Sequence, residues 1–549
     1  MNSLLKNIFR ILNHRERKQL VTLMILDVLI SILDILFLAG LLYVINFYAG
    51  GRTSSSVYYS AYFSAHPLML ISIFFLLFAI KNLFGFIVFK GQHSFVYGVA
   101  SRISKDNLLA FLNGSYNSYV HTDSSINIRK ISQQPIEFCL YVLYGMQQIL
   151  SQSILILITI AAILVYNSFL FPLLLLILVP PIILIAVYMK RKLTSARLYG
   201  KTTAERSIQY LQEALSGYIE SNVFGRHEFF SNRYNRFQSK FNHYLAEKQF
   251  IQNMPSRLIE VFAVFGLFML VVLNLYTGNE TTIQLVTLGA FMAAAYKVIP
   301  GIVKIMNTWG QVKTYLFTMT GLVAAKNNIT RYNIEAIRSV EFNNVSFTYP
   351  GKKIIESFCL NAVTGDIVGI AGVSGKGKTT IANLLLGFLN PDTGNILING
   401  NIANEEKRQG YWSRTSYIKQ QPFFLYDSIL TNITLEESVL DQKRLTKAVA
   451  LSGLDQVIQT TDGLSMIVTE NGKNFSGGQR QRIIFSRTLY KEADLLILDE
   501  PFNELDEVSE SAMMNVLKKI AAEGKIILLI THNKKALSFC NKQILLDEG

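Results

Sequence analysis

Gly372-Val373-Ser374-Gly375-Lys376-Gly377-Lys378-Thr379 follows the short apolar run Val368-Gly369-Ile370-Ala371 and precedes the apolar helical run Ile381–Leu389. The spacing is G-x-x-x-x-G-K-T in the context that such a loop requires, a buried strand before it and a helix after it. Backbone N–H groups at the helix start would wrap the β- and γ-phosphates of a nucleotide. Lys378 would neutralise them, and the Thr379 hydroxyl, with Thr380 beside it, would reach Mg²⁺. A chance glycine turn is the alternative, and the strand–loop–helix order argues against it.

Downstream, Leu495-Leu496-Ile497-Leu498-Asp499-Glu500 reads as a second buried strand ending in two carboxylates. Asp499 is placed to hold Mg²⁺ through water, and Glu500 to polarise an attacking water, as phosphoryl transfer needs. Alone, the pair could also be a helix N-cap acid pair, and the phosphate loop upstream argues against that. Between the two motifs lies Phe475-Ser476-Gly477-Gly478-Gln479-Arg480-Gln481-Arg482, opening a helix that ends near Tyr490. A small-residue helix start with free N–H groups is another anion site. By itself Ser476–Gln479 could be a flexible loop; its place about twenty residues before the Asp-Glu strand gives it meaning.

The rest of the chain has a different character. Of 549 residues, 50% are hydrophobic and only 16% charged, against about 25% charged in ordinary soluble domains. This excludes disorder, a nucleic-acid tail and an ordinary cytosolic enzyme. Three scattered cysteines (Cys139, Cys359, Cys540) exclude a disulfide scaffold and a structural zinc site. The net charge of +14 is unevenly spread: residues 1–337 carry 29 Lys/Arg against 14 Asp/Glu, residues 338–549 carry 23 against 24. The positive excess therefore sits with the apolar runs, which is a membrane signature and not a nucleic-acid one.

A membrane helix takes about 20 mostly apolar residues. Six stretches qualify, about 20–48, 67–89, 138–166, 168–189, 255–277 and 282–306. The basic amphipathic start, Asn7 to Lys18, reads as an interfacial helix leading into the first span. Lys and Arg crowd residues 1–18, 90–136 and 190–250, while the alternate connections carry Arg52 and no other basic residue. The positive-inside rule then puts both ends of the six spans in the cytoplasm. The inner connections are long and amphipathic, so the helices are expected to continue past the membrane and turn back at their far ends. Ionisable residues inside the runs are Asp27, Asp34, Lys81, Glu260, Lys297 and Lys304. They read either as structural pairs and snorkelling side chains or as a polar translocation path, with Lys297 deepest.

At this point the second half resembles the nucleotide-binding domain of ATP-binding cassette (ABC) transporters. Tyr349, in Phe347-Thr348-Tyr349-Pro350, matches the aromatic that stacks on adenine. Gln420 matches the glutamine that touches Mg²⁺ and water, Glu470 an exporter acid, Asp506 the aspartate after the Asp-Glu strand, and His532 the histidine on the γ-phosphate. The resemblance implies ATP and Mg²⁺ as cofactors. It makes Glu500, His532 and Gln420 the catalytic group, and Thr379, Gln420 and Asp499 the metal group. ATP would lie between the phosphate loop (Gly372–Thr380) with Tyr349 of one protomer and Ser476, Gly477, Gly478, Gln479 and Asp506 of another. One chain holds one half-transporter, so a dimer is implied, a homodimer sufficing and a heterodimer remaining open.

The expected fold is thus a six-span α-helical transmembrane domain (1–325), a linker (326–337) and an α/β P-loop NTPase cassette (338–549). The membrane half is similar to the exporter branch, with inner turns near Ser115–Asp123 and within Glu213–Gly225. Over nearly the full length the chain looks most like the PglK-type lipid-linked oligosaccharide flippases, through its basic start, Ile32-Leu33-Asp34-Ile35 and Ala295-Tyr296-Lys297-Val298-Ile299-Pro300. That implies a bacterial inner membrane and a lipid-like or amphipathic substrate, with Lys297 drawing a lipid diphosphate. A peptide or bacteriocin, lipid A or drug exporter of the same fold is the alternative, and a membrane-anchored regulatory ATPase a further one. Three departures from the family pattern stand out. Phe475 replaces Leu, Lys419 stands where Pro is common, and Pro501-Phe502-Asn503-Glu504-Leu505 replaces a small-residue run.

Overall fold

The computed structural model describes residues 2–48, 67–114, 116–166, 202–277, 285–319, 334–373, 375–437, 441–456 and 463–546, with a few isolated positions between them. The chain falls into two compact units, residues 1–114 with 121–327 and residues 115–120 with 328–549.

The first unit is helical. Helix α1 (Asn2–Ile11) buries Ile8 and Ile11 and leaves Lys6 and Arg10 outward, the amphipathic pattern of an interfacial helix. Helices α2 (His14–Tyr48) and α3 (Pro67–Leu112) follow. Arg102 on α3 clamps the junction of α1 and α2. It reaches both Glu16 oxygens (2.6 and 2.9 Å) and the Ile11 carbonyl (3.2 Å). At 46 residues α3 is about 69 Å long, more than twice the hydrocarbon thickness, so it runs well past the membrane as the long inner loops implied. The helical run from Ser124 to Tyr166 contains two π-helical stretches, Arg129–Gln133 and Phe138–Leu143, and ends in α4 (Tyr144–Tyr166). Helices α5 (His227–Thr277) and α6 (Leu285–Tyr315) complete the described set of long helices.

Three of the described helices are long and apolar enough to cross a membrane, within His14–Leu41, Leu68–Leu112 and Ser124–Ala161. The fourth expected span, 168–189, lies essentially outside the described residues. The fifth and sixth run inside α5 and α6, save residues 282–284, and the side chains of Glu260 and Lys297 lie outside the description. Asp34 and Lys81 form an ion pair between α2 and α3, the structural pairing foreseen as one reading of these residues. A second ionic group ties the ends of the helices together. Arg129 meets Glu205 (3.0 Å) and Glu137 (3.7 Å), and Lys248 donates to the Tyr315 hydroxyl (2.8 Å), whose ring stacks on Tyr141.

The second unit is α/β. Strands β1 (Ser339–Tyr349), β2 (Lys352–Val363), β4 (Thr393–Ile398) and β5 (Asn401–Ile402) form an antiparallel sheet in the order β2-β1-β4-β5. Strands β3 (Ile367–Gly372), β6 (Thr415–Ile418), β9 (Leu495–Asp499), β10 (Ile526–Ile530) and β11 (Lys542–Leu546) form a parallel sheet in the order β11-β3-β10-β9-β6. The central strands are near-continuous apolar runs because both faces are covered, and every residue of β9 and β10 is buried. Short strands β7 (Asp427–Ser428) and β8 (Ile467–Val468) pair separately. Because the large sheet is parallel, β3, β6, β9 and β10 all end on one edge, where α/β sheets place their ligands. The short helix Tyr116–His121, in the stretch read as the first inner turn, contributes Tyr116 to this unit. Its ring stacks on Phe388 at 4.8 Å.

Gly394 shows how tightly the antiparallel sheet is drawn. It has φ +82°, and a Cβ there would stand 2.3 Å from the Asn344 carbonyl oxygen, at the bulge where β1 and β4 change register. Gly394→Ala combines a strained backbone with a backbone clash, each costing about 1–3 kcal/mol. Its thermal midpoint should fall by roughly 5–15 °C in a scan of the cassette transition.

Candidate functional site

The phosphate-binding loop leaves β3 at Gly372 and enters helix α7 (Lys378–Leu385). Gly377, the residue before the helix, has φ +90°, and a Cβ there would lie 2.8 Å from Ile354 Cγ2, so only glycine fits the turn. Ser374 lies outside the described residues. The Lys378 ammonium donates to the Gly372 carbonyl at 2.6 Å and stands 4.0 Å from Glu500 Oε1. The Thr379 hydroxyl donates to Asp499 Oδ2 at 2.9 Å, and Thr380 is buried behind it.

The two carboxylates at the end of β9 are buried, Asp499 to 2% and Glu500 to 6% exposure. Burial raises the Asp499 carboxyl above its ordinary value and the Glu500 charge adds to this, while Thr379 and Lys378 oppose. Glu500 adopts φ +51°, a conformation that non-glycine residues seldom take, and its N–H is held by the Ile530 carbonyl at 2.9 Å. This aims its carboxylate at β10. Oε1 meets His532 Nδ1 at 2.9 Å, and the buried Thr531 hydroxyl donates to Oε2 at 3.4 Å. His532 itself is largely exposed. Gln420 lies exposed two residues past β6. Thus one sheet edge brings together Lys378, Thr379, Asp499, Glu500 and His532. A hydroxyl and a buried carboxylate oxygen 2.9 Å apart, beside a second acid, are hard-oxygen donors short of positive charge, a set that suits Mg²⁺.

Tyr349 ends β1 in the other sheet, 39% exposed and edge-on to Phe347 at 5.0 Å. Ser476 caps helix α8 (Gly477–Tyr490) in a reciprocal capping box. Gln479 N–H donates to its hydroxyl (3.4 Å), and Ser476 N–H donates to the Gln479 side chain (2.9 Å). Glu504, one of the departures from the family pattern, pairs with Arg480 at 3.1 Å and lies where any Gly477 side chain would go. It therefore fixes the stretch before Asp506 onto the Ser476–Gln479 turn. Asp506 stands just before helix α9 (Glu507–Ala522), and its carboxyl sits below its ordinary value through hydrogen bonding to Ser509. Among the described residues, no hydrogen bond or ion pair joins Ser476–Gln479 to Lys378, Thr379, Asp499 or Glu500.

Two contributors were not foreseen. Tyr417 on β6 feels the charge of Asp499, and burial raises its hydroxyl. Tyr116 hydrogen-bonds Asn383 on α7 and lies close enough to Tyr349 and Tyr417 to feel both. A tyrosine in a strand, or in a turn over 200 residues away, carries no local signal of either placement.

A phosphate loop and a buried Asp-Glu pair on one edge of a parallel sheet, with an antiparallel sheet in the same unit, define the ATPase cassette of ABC proteins. Residues 356–503 match the family described as ABC transporter. Residues 356–503 thus form an ABC-transporter cassette, and the fold of the chain is that of the exporters. It matches a bacterial Atm1-family ABC exporter with ATP bound at a TM-score of 0.78 and 18% identity, over 97% of this chain and 94% of the other. Among curated relatives, the ATP-dependent lipid A-core flippase of Alkalilimnicola ehrlichii is 28% identical over 62% of this chain and 59% of its own length. A putative export ATP-binding/permease protein of Rickettsia prowazekii is 32% identical over 41% of this chain and 39% of its own. The alpha-hemolysin translocation ATP-binding protein HlyB of Escherichia coli is 34% identical over 38% and 30%. The chain thus spans less than two thirds of these relatives' lengths.

Proposed function

We propose that this chain is the half-transporter of an ATP-driven exporter or flippase that moves an amphipathic substrate out of the cytoplasm or across a bacterial inner membrane. The observation that carries this reading is the gathering of Lys378, Thr379, Asp499, Glu500 and His532 on one sheet edge, in a chain whose helices also suit a bilayer. In the reaction, Lys378 holds the phosphates and Glu500 polarises the attacking water while His532 keeps its carboxylate oriented. Mg²⁺ held by Thr379, Asp499 and Gln420 would offset charge on the phosphates. Tyr349 would stack on the base.

A second copy supplies Ser476–Gln479 and Asp506 to complete each site, so the active unit is a dimer, most simply a homodimer. Exposed apolar side chains on the inner helix Tyr218–Val223 support this, with Tyr218, Ile219 and Val223 each about 70% exposed in the single chain. ATP would draw two cassettes together and turn an inward-open cavity outward, and hydrolysis at Glu500 would reset it.

For the substrate, the reading is a lipid-linked glycan, supported by the lipid A-core flippase relatives as well as by the sequence resemblance. A peptide or protein cargo is the second reading, favoured by the alpha-hemolysin translocator. The test is ATPase activity of the purified chain in nanodiscs, titrated with a polyprenyl-diphosphate glycan, lipid A and a cationic peptide. Selective stimulation by the diphosphate glycan, lost in Lys297→Ala, is the expected result. Unaltered stimulation in Lys297→Ala removes that lysine from substrate recognition, and stimulation by the peptide alone favours the second reading.

A further inference from the structure

Residues 501–505 leave the end of β9 and pass along the start of α8. Phe502 is buried in the cassette core, and the Leu505 N–H donates to its carbonyl at 3.0 Å, which fixes the path of this loop. Glu504 reaches from the loop onto the Ser476–Gln479 turn. Its Oε2 lies 2.7 Å from where a Cβ on Gly477 would stand, and its backbone oxygen 3.5 Å from the same point on Gly478. Arg480, just inside the helix, donates to both carboxylate oxygens at 3.1 Å.

A carboxylate thus stands at the start of a helix, where backbone N–H groups and the helix dipole draw negative charge. Among the described residues no hydrogen bond engages the N–H groups of Gly477 and Gly478, so the turn keeps donors for a better acceptor. On the reading that each nucleotide is shared between two copies, a phosphate of the partner's ATP comes to this turn. It would meet Glu504 over Gly477 and contend with it for the Arg480 guanidinium. Two anions repel at such a distance and cannot both have these donors. The small-residue run of the family pattern carries no charge here; this chain has Glu504.

We propose that Glu504 is a built-in competitor of nucleotide phosphate, its carboxylate standing in the phosphate position of the Ser476–Gln479 turn until a second copy closes on ATP. The inference rests on the shared-site reading and adds a control to it. Arg480 holds Glu504 in the open state and passes to the phosphate on closure. The side chains of Glu504 and Arg480 are 43% and 28% exposed, so the carboxylate can swing into solvent without disturbing the core. Exposed ion pairs and charges at helix ends are each worth about two- to fivefold in an equilibrium constant, so Glu504 raises the ATP threshold for closure and does not forbid it.

The experiment follows closure of the full chain in nanodiscs by electron–electron distance measurement. A nitroxide is placed on Cys359, which is exposed while Cys139 is buried and Cys540 half-buried. A non-hydrolysable ATP analogue is titrated, so the readout does not depend on turnover. Glu504→Gln keeps the shape and removes the charge, and should lower the analogue concentration at half-closure by about two- to fivefold. Arg480→Gln frees the carboxylate from its counter-ion and should raise that concentration. Glu504→Ala is the second probe should Glu504→Gln fail to fold, with the same direction expected. A role as a simple clamp on the turn predicts that losing either partner raises the midpoint, so a raised or unmoved midpoint in both Glu504 variants overturns the proposal while closure of the parent leaves the shared site standing. Label distances that the analogue moves in no chain overturn the shared-site reading, and the proposal with it.

Discussion

Glu500→Gln should lower steady-state ATP turnover by about 10²–10⁴-fold, the usual contribution of a positioned general base, while leaving ATP binding intact. The geometry makes this a clean substitution. Glutamine preserves shape and can keep a hydrogen bond to His532 and to Thr531, and the +51° backbone of residue 500 is held by the Ile530 carbonyl whatever the side chain. On the proposed mechanism, what is lost is the basic oxygen that would take a proton from water. Burial at 6% exposure means that bulk solvent cannot easily substitute for it. Bound ATP should persist and the dimer should remain closed, seen as a long-lived complex by size exclusion with labelled ATP. Turnover near the parental rate would show that another group activates the water.

The candidate ATP site was legible because its residues are tied to local patterns. Strand, glycine loop and helix come in sequence at 368–389, and a buried strand ends in Asp499-Glu500, so spacing alone brings the right chemistry to strand ends. The parallel order of β3, β10, β9 and β6 then places those ends on one edge, a step that no local pattern states. The same reasoning could not place Tyr116, which reaches Asn383 from over 200 residues away in the sequence. Nor could it see why Glu504 is tolerated, since its partners Arg480 and Gly477 lie 24 and 27 residues away. In the helical unit, hydropathy announced long apolar helices but gave no hint of which polar residues would pair. Asp34 finds Lys81, while one Asp27 oxygen finds nothing. Periodicity reports which face of a helix is apolar, and pairing depends on rotations and crossings set by all the helices together. The π-helical stretches at Arg129–Gln133 and Phe138–Leu143 likewise have no sequence mark.

Lys378→Ala should act at the binding step instead. The ammonium lies at the mouth of the loop, anchored on the Gly372 carbonyl at 2.6 Å and 4.0 Å from Glu500. It faces two buried carboxylates whose negative field would otherwise repel a polyphosphate. Alanine is a good helix former at the first position of α7, so the helix should persist. The loss is a charged donor in a low-dielectric cleft, worth about 1.5–3 kcal/mol, and ATP affinity should fall between roughly tenfold and a hundredfold. Lys378→Arg should not restore it, because the planar guanidinium is bulkier than the ammonium and cannot take its place on Gly372. Equilibrium titration with a fluorescent ATP analogue separates this variant from Glu500→Gln. The glutamine chain should bind and not turn over, while the alanine chain should fail to bind at concentrations that saturate the parent. If Lys378→Ala kept parental affinity and lost only turnover, the lysine would act on the transition state alone. The ground-state phosphates would then be held by the backbone N–H groups of the loop.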